Sequence, residues 1–157
     1  MDMNSLLVVD DEPAIRTLVA RLAESRGYQI TEAGCAGEAL DRMAEHQAAI
    51  AVCDIGMPDR DGLWLTGQLR HQFPDTAVII VTGYGNARRE ASLELGVIGY
   101  LSKPFTREQL VGTLEQAARW HEERMTASAW GRSCLGRPVS GLIDAVQLEP
   151  AVKTPAI

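Results

Sequence analysis

Apolar residues fall along the chain in two kinds of pattern. Leu6-Leu7-Val8-Val9, Ala49 to Cys53 and Ala77 to Val81 are short, unbroken runs. Runs of this kind suit strands buried on both faces, as in a parallel sheet covered by helices on each side. Between them the spacing turns helical. Ile15, Leu18, Val19 and Leu22 share one face, with Arg16, Arg21 and Glu24 on the other. Pro13 suits the first turn of that helix and Gly27 its end. A second helix is expected over about Gly37 to His46, with Ala39, Leu40 and Met43 turned inward, and a third from near Gly62 to a stop before Pro74. Asn86 is the expected cap of a polar fourth helix that runs to Leu95 and stops at Gly96. Strands are expected at Tyr28 to Thr31 and Ile98 to Leu101, and Thr106 is expected to cap a long last helix carrying Leu110, Val111, Leu114, Ala117 and Ala118.

Strand then helix, repeated along the chain, predicts an α/β fold with a doubly wound parallel sheet, because the crossovers are right-handed. From about Met125 the texture changes. Gly131, Gly136, Pro138, Gly141, Pro150 and Pro155 are mixed with small polar residues, and only Val139 to Leu148 has an amphipathic hint. Residues 4–124 are therefore expected to form one domain, and 125–157 an extension or linker with room for one short helix. That tail is too short for a DNA-reading unit with its own core and has no cluster of Lys and Arg.

Charge and cysteine content narrow the functional classes. A formal net charge of -6 disfavours a polyanion as the main partner. Cys35, Cys53 and Cys134 are scattered, with no pair at metal-binding or disulfide spacing, and suit a reducing compartment. The apolar run at Leu6 to Val9 has no basic segment before it and is too short for a signal peptide or a membrane span. A cytoplasmic protein is expected, with no membrane partner and no direct contact with nucleic acid.

Ligands of a doubly wound sheet collect at the carboxyl ends of the strands. The first strand ends in Asp10-Asp11-Glu12, the third in Asp54 and the fourth in Thr82, and Lys103 lies just past the fifth. Each residue alone has an ordinary explanation as a turn former, strand filler or solvated charge. Together they place acids, a hydroxyl and an ammonium at one edge. Packed carboxylates repel unless a cation neutralises them, and Mg²⁺ or a similar hard ion takes oxygen ligands while keeping positions open. One carboxylate can then act as nucleophile toward a phosphoryl donor, with Lys103 and the Thr82 hydroxyl on the other phosphoryl oxygens.

Val8-Val9-Asp10-Asp11-Glu12-Pro13, Asp54-x-x-Met57-Pro58-x-x-Asp61-Gly62, Val81-Thr82-Gly83 and Tyr100-Leu101-x-Lys103-Pro104-Phe105 occur in that order. This set resembles the receiver domain of bacterial two-component response regulators over roughly residues 4 to 122. The resemblance implies a flavodoxin-like sheet of five strands in the order 2-1-3-4-5, flanked by five helices. It implies Asp54 as phosphoacceptor and Mg²⁺ or Mn²⁺ as cofactor. Asp11 and Asp54 would be the direct metal carboxylates, Asp10 a ligand through water, and the Gly56 carbonyl the remaining protein ligand. Thr82 and Tyr100 match the pair that moves on activation, Lys103 the phosphate-binding lysine, and Lys103-Pro104 a cis peptide. A sensor histidine kinase or phosphotransfer protein is the implied donor. A downstream protein is expected on the face made by the fourth helix, fifth strand and fifth helix, and a homodimer on phosphorylation is compatible with it.

Rival readings fare less well. An aspartate-nucleophile phosphatase needs a second Asp two residues after the nucleophile, where this chain has Gly56. A flavin binder needs a phosphate-cradling loop where the chain has Asp10-Asp11. Turnover of an external substrate is therefore not expected, only self-catalysed transfer to Asp54 and slow loss of the phosphate. The alternative that stays open is the receiver part of a longer regulator whose effector lies outside the chain. Glu12 and Asp59 are expected as solvated rim charges, and Trp120 as a packing residue.

Overall fold

The computed structural model describes residues 4–83 and 89–134. The elements follow as β1 (Ser5–Val9), α1 (Pro13–Glu24), β2 (Gln29–Ala33), α2 (Ala36–Glu45), β3 (Ile50–Cys53), α3 (Gly62–Gln72), β4 (Ala77–Thr82), α4 (Arg89–Glu94), β5 (Gly99–Ser102) and α5 (Arg107–Cys134). All strand pairs are parallel, as the pattern of strand and helix predicts, and the sheet order is β2-β1-β3-β4-β5, as the resemblance implies. Leu6 stands beside Ile30 on one side and Ile50 on the other, and Ile79 faces Gly99 across the β4–β5 pair.

Successive side chains on a strand point to opposite faces, so the unbroken runs feed two separate cores. Leu7, Val9, Ala51, Cys53, Val78 and Ile80 pack with Ala39 and Met43 of α2 and Leu65 and Leu69 of α3. Leu6, Val8, Ile50, Val52 and Ile79 pack with Val19 and Ala23 of α1 and Leu110, Leu114 and Ala117 of α5. The sheet therefore holds its strand ends in register from both sides. β2 at the edge is more exposed, which explains why Gln29 to Ala33 reads less clearly as a strand.

Local signals place the element ends. Gly27 and Gly96 adopt φ of 86° and 74° after α1 and α4, a region that costs a side-chain-bearing residue free energy. The Asp61 side chain accepts from the Leu63 N–H and opens α3. Thr106 and Gln109 exchange side-chain to backbone hydrogen bonds at the start of α5, a reciprocal cap.

α5 does not end where the sequence texture changes. It continues through Met125 to Cys134. Its anchor is at the opposite end of the sheet from the acidic cluster. The His121 ring bonds the Asp75 carbonyl through Nδ1 at 2.6 Å, and Arg124 pairs with the Asp75 carboxylate at 3.1 Å. Trp120 packs against the second core, with Arg70 and Arg124 over its ring. Trp130, further along, is 70% exposed. Asn86 and the amphipathic stretch Val139 to Leu148 lie outside the described residues. Among the described residues no helix is long and apolar enough to cross a membrane.

Candidate phosphoacceptor and metal site

The parallel register brings the ends of β1, β3 and β4 to one edge, and the chemistry-bearing residues follow directly. Asp10 and Asp54 each come one residue after a strand whose last residues, Val9 and Cys53, are register partners. The Asp54 N–H bonds the Val9 carbonyl at 2.9 Å, which extends the ladder by one step and sets the two acids side by side. One carboxylate oxygen from each of Asp10, Asp11 and Asp54 lies within 4.8 Å of the others. Asp10 and Asp54 are 4% and 6% exposed, so the repulsion between them is poorly screened by water.

Lys103 answers that charge. Its Nζ donates to Asp10 Oδ2 at 2.8 Å and lies 3.7 Å from both Asp54 Oδ1 and Glu12 Oε1. The Lys103 N–H bonds the Thr82 carbonyl at 2.8 Å, and the Lys103–Pro104 peptide is cis. Burial pushes the Asp54 carboxyl above the usual range; Lys103 pulls it back and Asp10 pushes it up again. Burial alone would lower the Lys103 pKa, but the hydrogen bond to Asp10 and the charges of Asp54, Asp10 and Glu12 outweigh it and raise the net value.

Above these groups lies an open cleft of about 310 Å³ lined by Asp11, Glu12, Asp54, Gly56, Gly83 and Lys103. Asp11, Asp54, Gly56 and Lys103 thus face one space. Asp10 sits beneath them, held by Lys103 and by the Glu12 N–H, which bonds Asp10 Oδ1 at 2.9 Å. Thr82 is fully buried at the end of β4. Tyr100 is half-buried on β5 against the first core, with the Arg89 guanidinium 5.9 Å from its ring centre. The donor set suits a hard divalent ion: it is all oxygen, strongly anionic and open to solvent on one side.

Three supporting residues were weak or silent in the sequence. Gly62 passes so close to β3 that a side-chain carbon would fall onto the Asp54 carbonyl oxygen, with Ile55 Cα only 2.7 Å away. The Gly of the Asp61-Gly62 pair was a signal of tight geometry, but its partner is visible only in three dimensions. Asp59, expected as a rim charge, accepts from the N–H groups of Ala36 and Gly37 at 3.0 and 3.3 Å and ties the β3–α3 loop to the start of α2. Glu12 remains at the rim but joins the Lys103 cluster. Cys53, behind Asp54, is a poor nucleophile: burial, and then the Asp54 charge, push its thiol up to about 12.

Similarity to known proteins covers the same part of the chain. Residues 6–115 match the family described as response regulator receiver domain. The photosynthetic apparatus regulatory protein RegA of Rhodobacter capsulatus is 37% identical over 113 residues, which make up 70% of this chain and 60% of RegA. The sensor kinase CckA of Brucella abortus (strain 2308) is 37% identical over 115 residues, 71% of this chain but 12% of CckA. The chain thus spans less than two thirds of each of these relatives. Among solved structures, a CheY-like response regulator receiver domain protein from Methanospirillum hungatei JF-1 superposes with a TM-score of 0.74 at 29% identity, covering 77% of this chain and 98% of that one.

Proposed function

The chain belongs to the response regulator receiver domain family, and from that membership we propose that it is a phosphorylation-controlled signalling switch with Asp54 as acceptor. The observation that carries this reading is the meeting of Asp10, Asp11 and Asp54 within 4.8 Å under a lysine, below an open cleft. An Asp54 carboxylate oxygen attacks phosphorus as the phosphorus–nitrogen bond of a phosphohistidine donor breaks. The products are an acyl phosphate on Asp54 and a free imidazole on the donor. Lys103 and the Thr82 hydroxyl bind the remaining phosphoryl oxygens where negative charge gathers.

Asp11, Asp54 and the Gly56 carbonyl would hold Mg²⁺ or Mn²⁺, with Asp10 reaching it through water. That ion supplies positive charge to the transferring group when bound. The raised Asp54 pKa, from burial first and the Asp10 charge after it, supports this assignment, since a dication relieves the cost of a buried carboxylate beside another acid.

A sensor histidine kinase or a phosphotransfer protein is the donor class, and a cytoplasmic location follows from that pairing. Thr82 drawn toward the phosphoryl group and Tyr100 turning inward alter the face made by α4, β5 and α5, where a downstream protein or a second copy of the chain binds. Residues 4–124 form the phosphoacceptor unit and 125–157 its extension. A longer regulator with an effector beyond the chain is the second reading. It is favoured by α5 continuing to Cys134 and by relatives of which the matched region is only a part.

The test is incubation with acetyl phosphate and Mg²⁺, followed by intact mass. One phosphoryl adduct is expected on the wild type, none with EDTA, and none on Asp54→Asn. An adduct on Asp54→Asn would show that another residue accepts. In the phosphorylated sample, amide exchange across residues 83 to 105 is expected to change; unchanged exchange there would remove the output face.

The lifetime of the adduct is a second prediction. Gly56 and Tyr84 stand two residues past Asp54 and Thr82, and neither offers a side-chain amide to position water; Tyr84 lies outside the described residues. The Asp54 phosphate is expected to last minutes or longer in the isolated protein. Decay within seconds, followed by the mass of the adduct, would contradict this.

A further inference from the structure

The sequence pattern places Arg16 on the polar face of α1, opposite Ile15, Leu18, Val19 and Leu22. In the structure it turns back onto the acidic loop. Its Nη1 donates to the Asp10 carbonyl at 2.8 Å, and its Nε donates to Glu32 Oε2 on β2 at 2.9 Å. The Arg16 side chain is 22% exposed and that of Glu32 44%.

Asp10 lies just past the end of β1, where the strand ladder no longer supplies a partner for every backbone group. Its N–H reaches the Ala33 carbonyl at 3.2 Å, and its carboxylate takes the Glu12 N–H and Lys103. Its carbonyl receives Arg16. A buried carbonyl without a donor costs about 1–3 kcal/mol, so this bond is strongly favoured. It also has a geometric effect. The peptide between Asp10 and Asp11 is a rigid plane. Fixing its oxygen fixes the Asp11 nitrogen and thus the point from which the Asp11 side chain leaves the backbone.

We propose that Arg16 is a positioning residue for the metal-binding loop, with Glu32 orienting its guanidinium. This rests on the proposed reading of Asp11 as a direct metal ligand. Arginine suits the role better than lysine because its planar fork reaches two acceptors in fixed directions. Glu32 belongs to the edge strand and Arg16 to α1, so the brace links β2, α1 and the end of β1 at the point where the acids emerge.

The test uses the full chain with Arg16→Met, Arg16→Lys and Glu32→Gln. Mg²⁺ affinity is measured by calorimetry, amide exchange at residues 10 to 12 in metal-free protein, and the thermal midpoint separately. Arg16→Met is expected to weaken Mg²⁺ binding about tenfold, the lower end of what losing an outer-shell partner does to metal affinity. Exchange at residues 10 to 12 should speed up more than at the centre of β3. Arg16→Lys should recover only part of the affinity, and Glu32→Gln should lose a smaller part. Acetyl phosphate labelling of the Arg16 variants should drop at low Mg²⁺ and return at saturation, since the acceptor itself is intact.

Mg²⁺ bound by Arg16→Met as tightly as by the wild type, with only the midpoint lowered, would overturn the proposal and leave the metal site standing. A wild type that binds no Mg²⁺ would instead overturn the metal reading and, with it, a role for Arg16 in metal affinity. Should Arg16→Met fail to fold, Glu32→Gln decides: unchanged affinity and unchanged exchange at residues 10 to 12 would overturn the brace.

Discussion

Gly62→Ala is expected to lower the thermal midpoint by about 10 °C and to abolish the Asp54 adduct. The added carbon has no room: its nearest neighbours are the Asp54 carbonyl, Ile55 Cα at 2.7 Å and the Asp54 carbonyl carbon at 2.8 Å. All are main-chain atoms of the loop that begins at Asp54, the proposed acceptor, so no side chain can swing aside. Either the start of α3 lifts off β3 or the Asp54–Ile55 peptide is displaced. The first breaks the Gly62 N–H bond to the Ile55 carbonyl at 3.0 Å. The second moves Asp54, the proposed nucleophile. Overpacking of this kind costs about 3 kcal/mol, which for a domain of this size is about 10 °C. Differential scanning calorimetry and intact mass check the two parts. A variant with the wild-type midpoint and a full adduct would show that the loop relaxes freely.

The second large effect lies in the balance between Lys103 and the acids, and it is expected to depend on both pH and metal. Asp54 has a raised pKa in the fold, from burial first. A raised carboxyl makes the folded state bind more protons than the unfolded state. Its favourable contribution is present below the ordinary aspartate range and is lost as pH rises through the raised value. At pH 7 without metal, the ionised Asp54 therefore opposes folding, and Asp54→Asn should raise the midpoint in EDTA. Mg²⁺ should raise the wild-type midpoint and leave Asp54→Asn less affected.

Lys103→Met should act in the opposite direction. It removes the ammonium 2.8 Å from Asp10, which is almost fully buried, and 3.7 Å from Asp54. Stripping such acids of their partner costs about 3 kcal/mol, the low end for a buried pair because the cleft admits water. The loss should be large at pH 7 in EDTA, shrink at acid pH as Asp54, whose pKa is raised, takes up its proton, and be partly restored by Mg²⁺. The Lys103 pKa is itself raised, so its own deprotonation removes this stability at the alkaline end, as pH rises through the raised value above the ordinary lysine range. Equal destabilisation at pH 4 and pH 7 would mean that Lys103 acts through packing and not through charge. A midpoint for Asp54→Asn below that of the wild type in EDTA would remove the argument that the buried, ionised Asp54 opposes folding.

Much of this was legible in the amino-acid sequence, and for a local reason. The runs Leu6 to Val9, Ala49 to Cys53 and Ala77 to Val81 are buried on both faces, and such strands must lie between two helical layers. The alternation of strand and helix, with a fixed handedness of crossover, then leaves few ways to arrange the sheet. Asp10, Asp11, Asp54 and Lys103 each stand next to a strand end, so convergence at one edge follows from the parallel register.

What the tertiary structure alone decided concerns partners distant in sequence. Arg16 on the Asp10 carbonyl, Asp59 on the first N–H groups of α2, and Gly62 against the Asp54 carbonyl are contacts of particular atoms that no periodicity encodes. The end of α5 was also hidden. Glycines and small polar residues after Met125 suggest a linker, yet the helix crosses that point, with Arg124 and His121 held on Asp75 nearby. Sequence patterns report which face of an element is buried, because burial repeats with the period of the element. A single hydrogen bond or close approach has no period, and only the packed chain brings its two halves together.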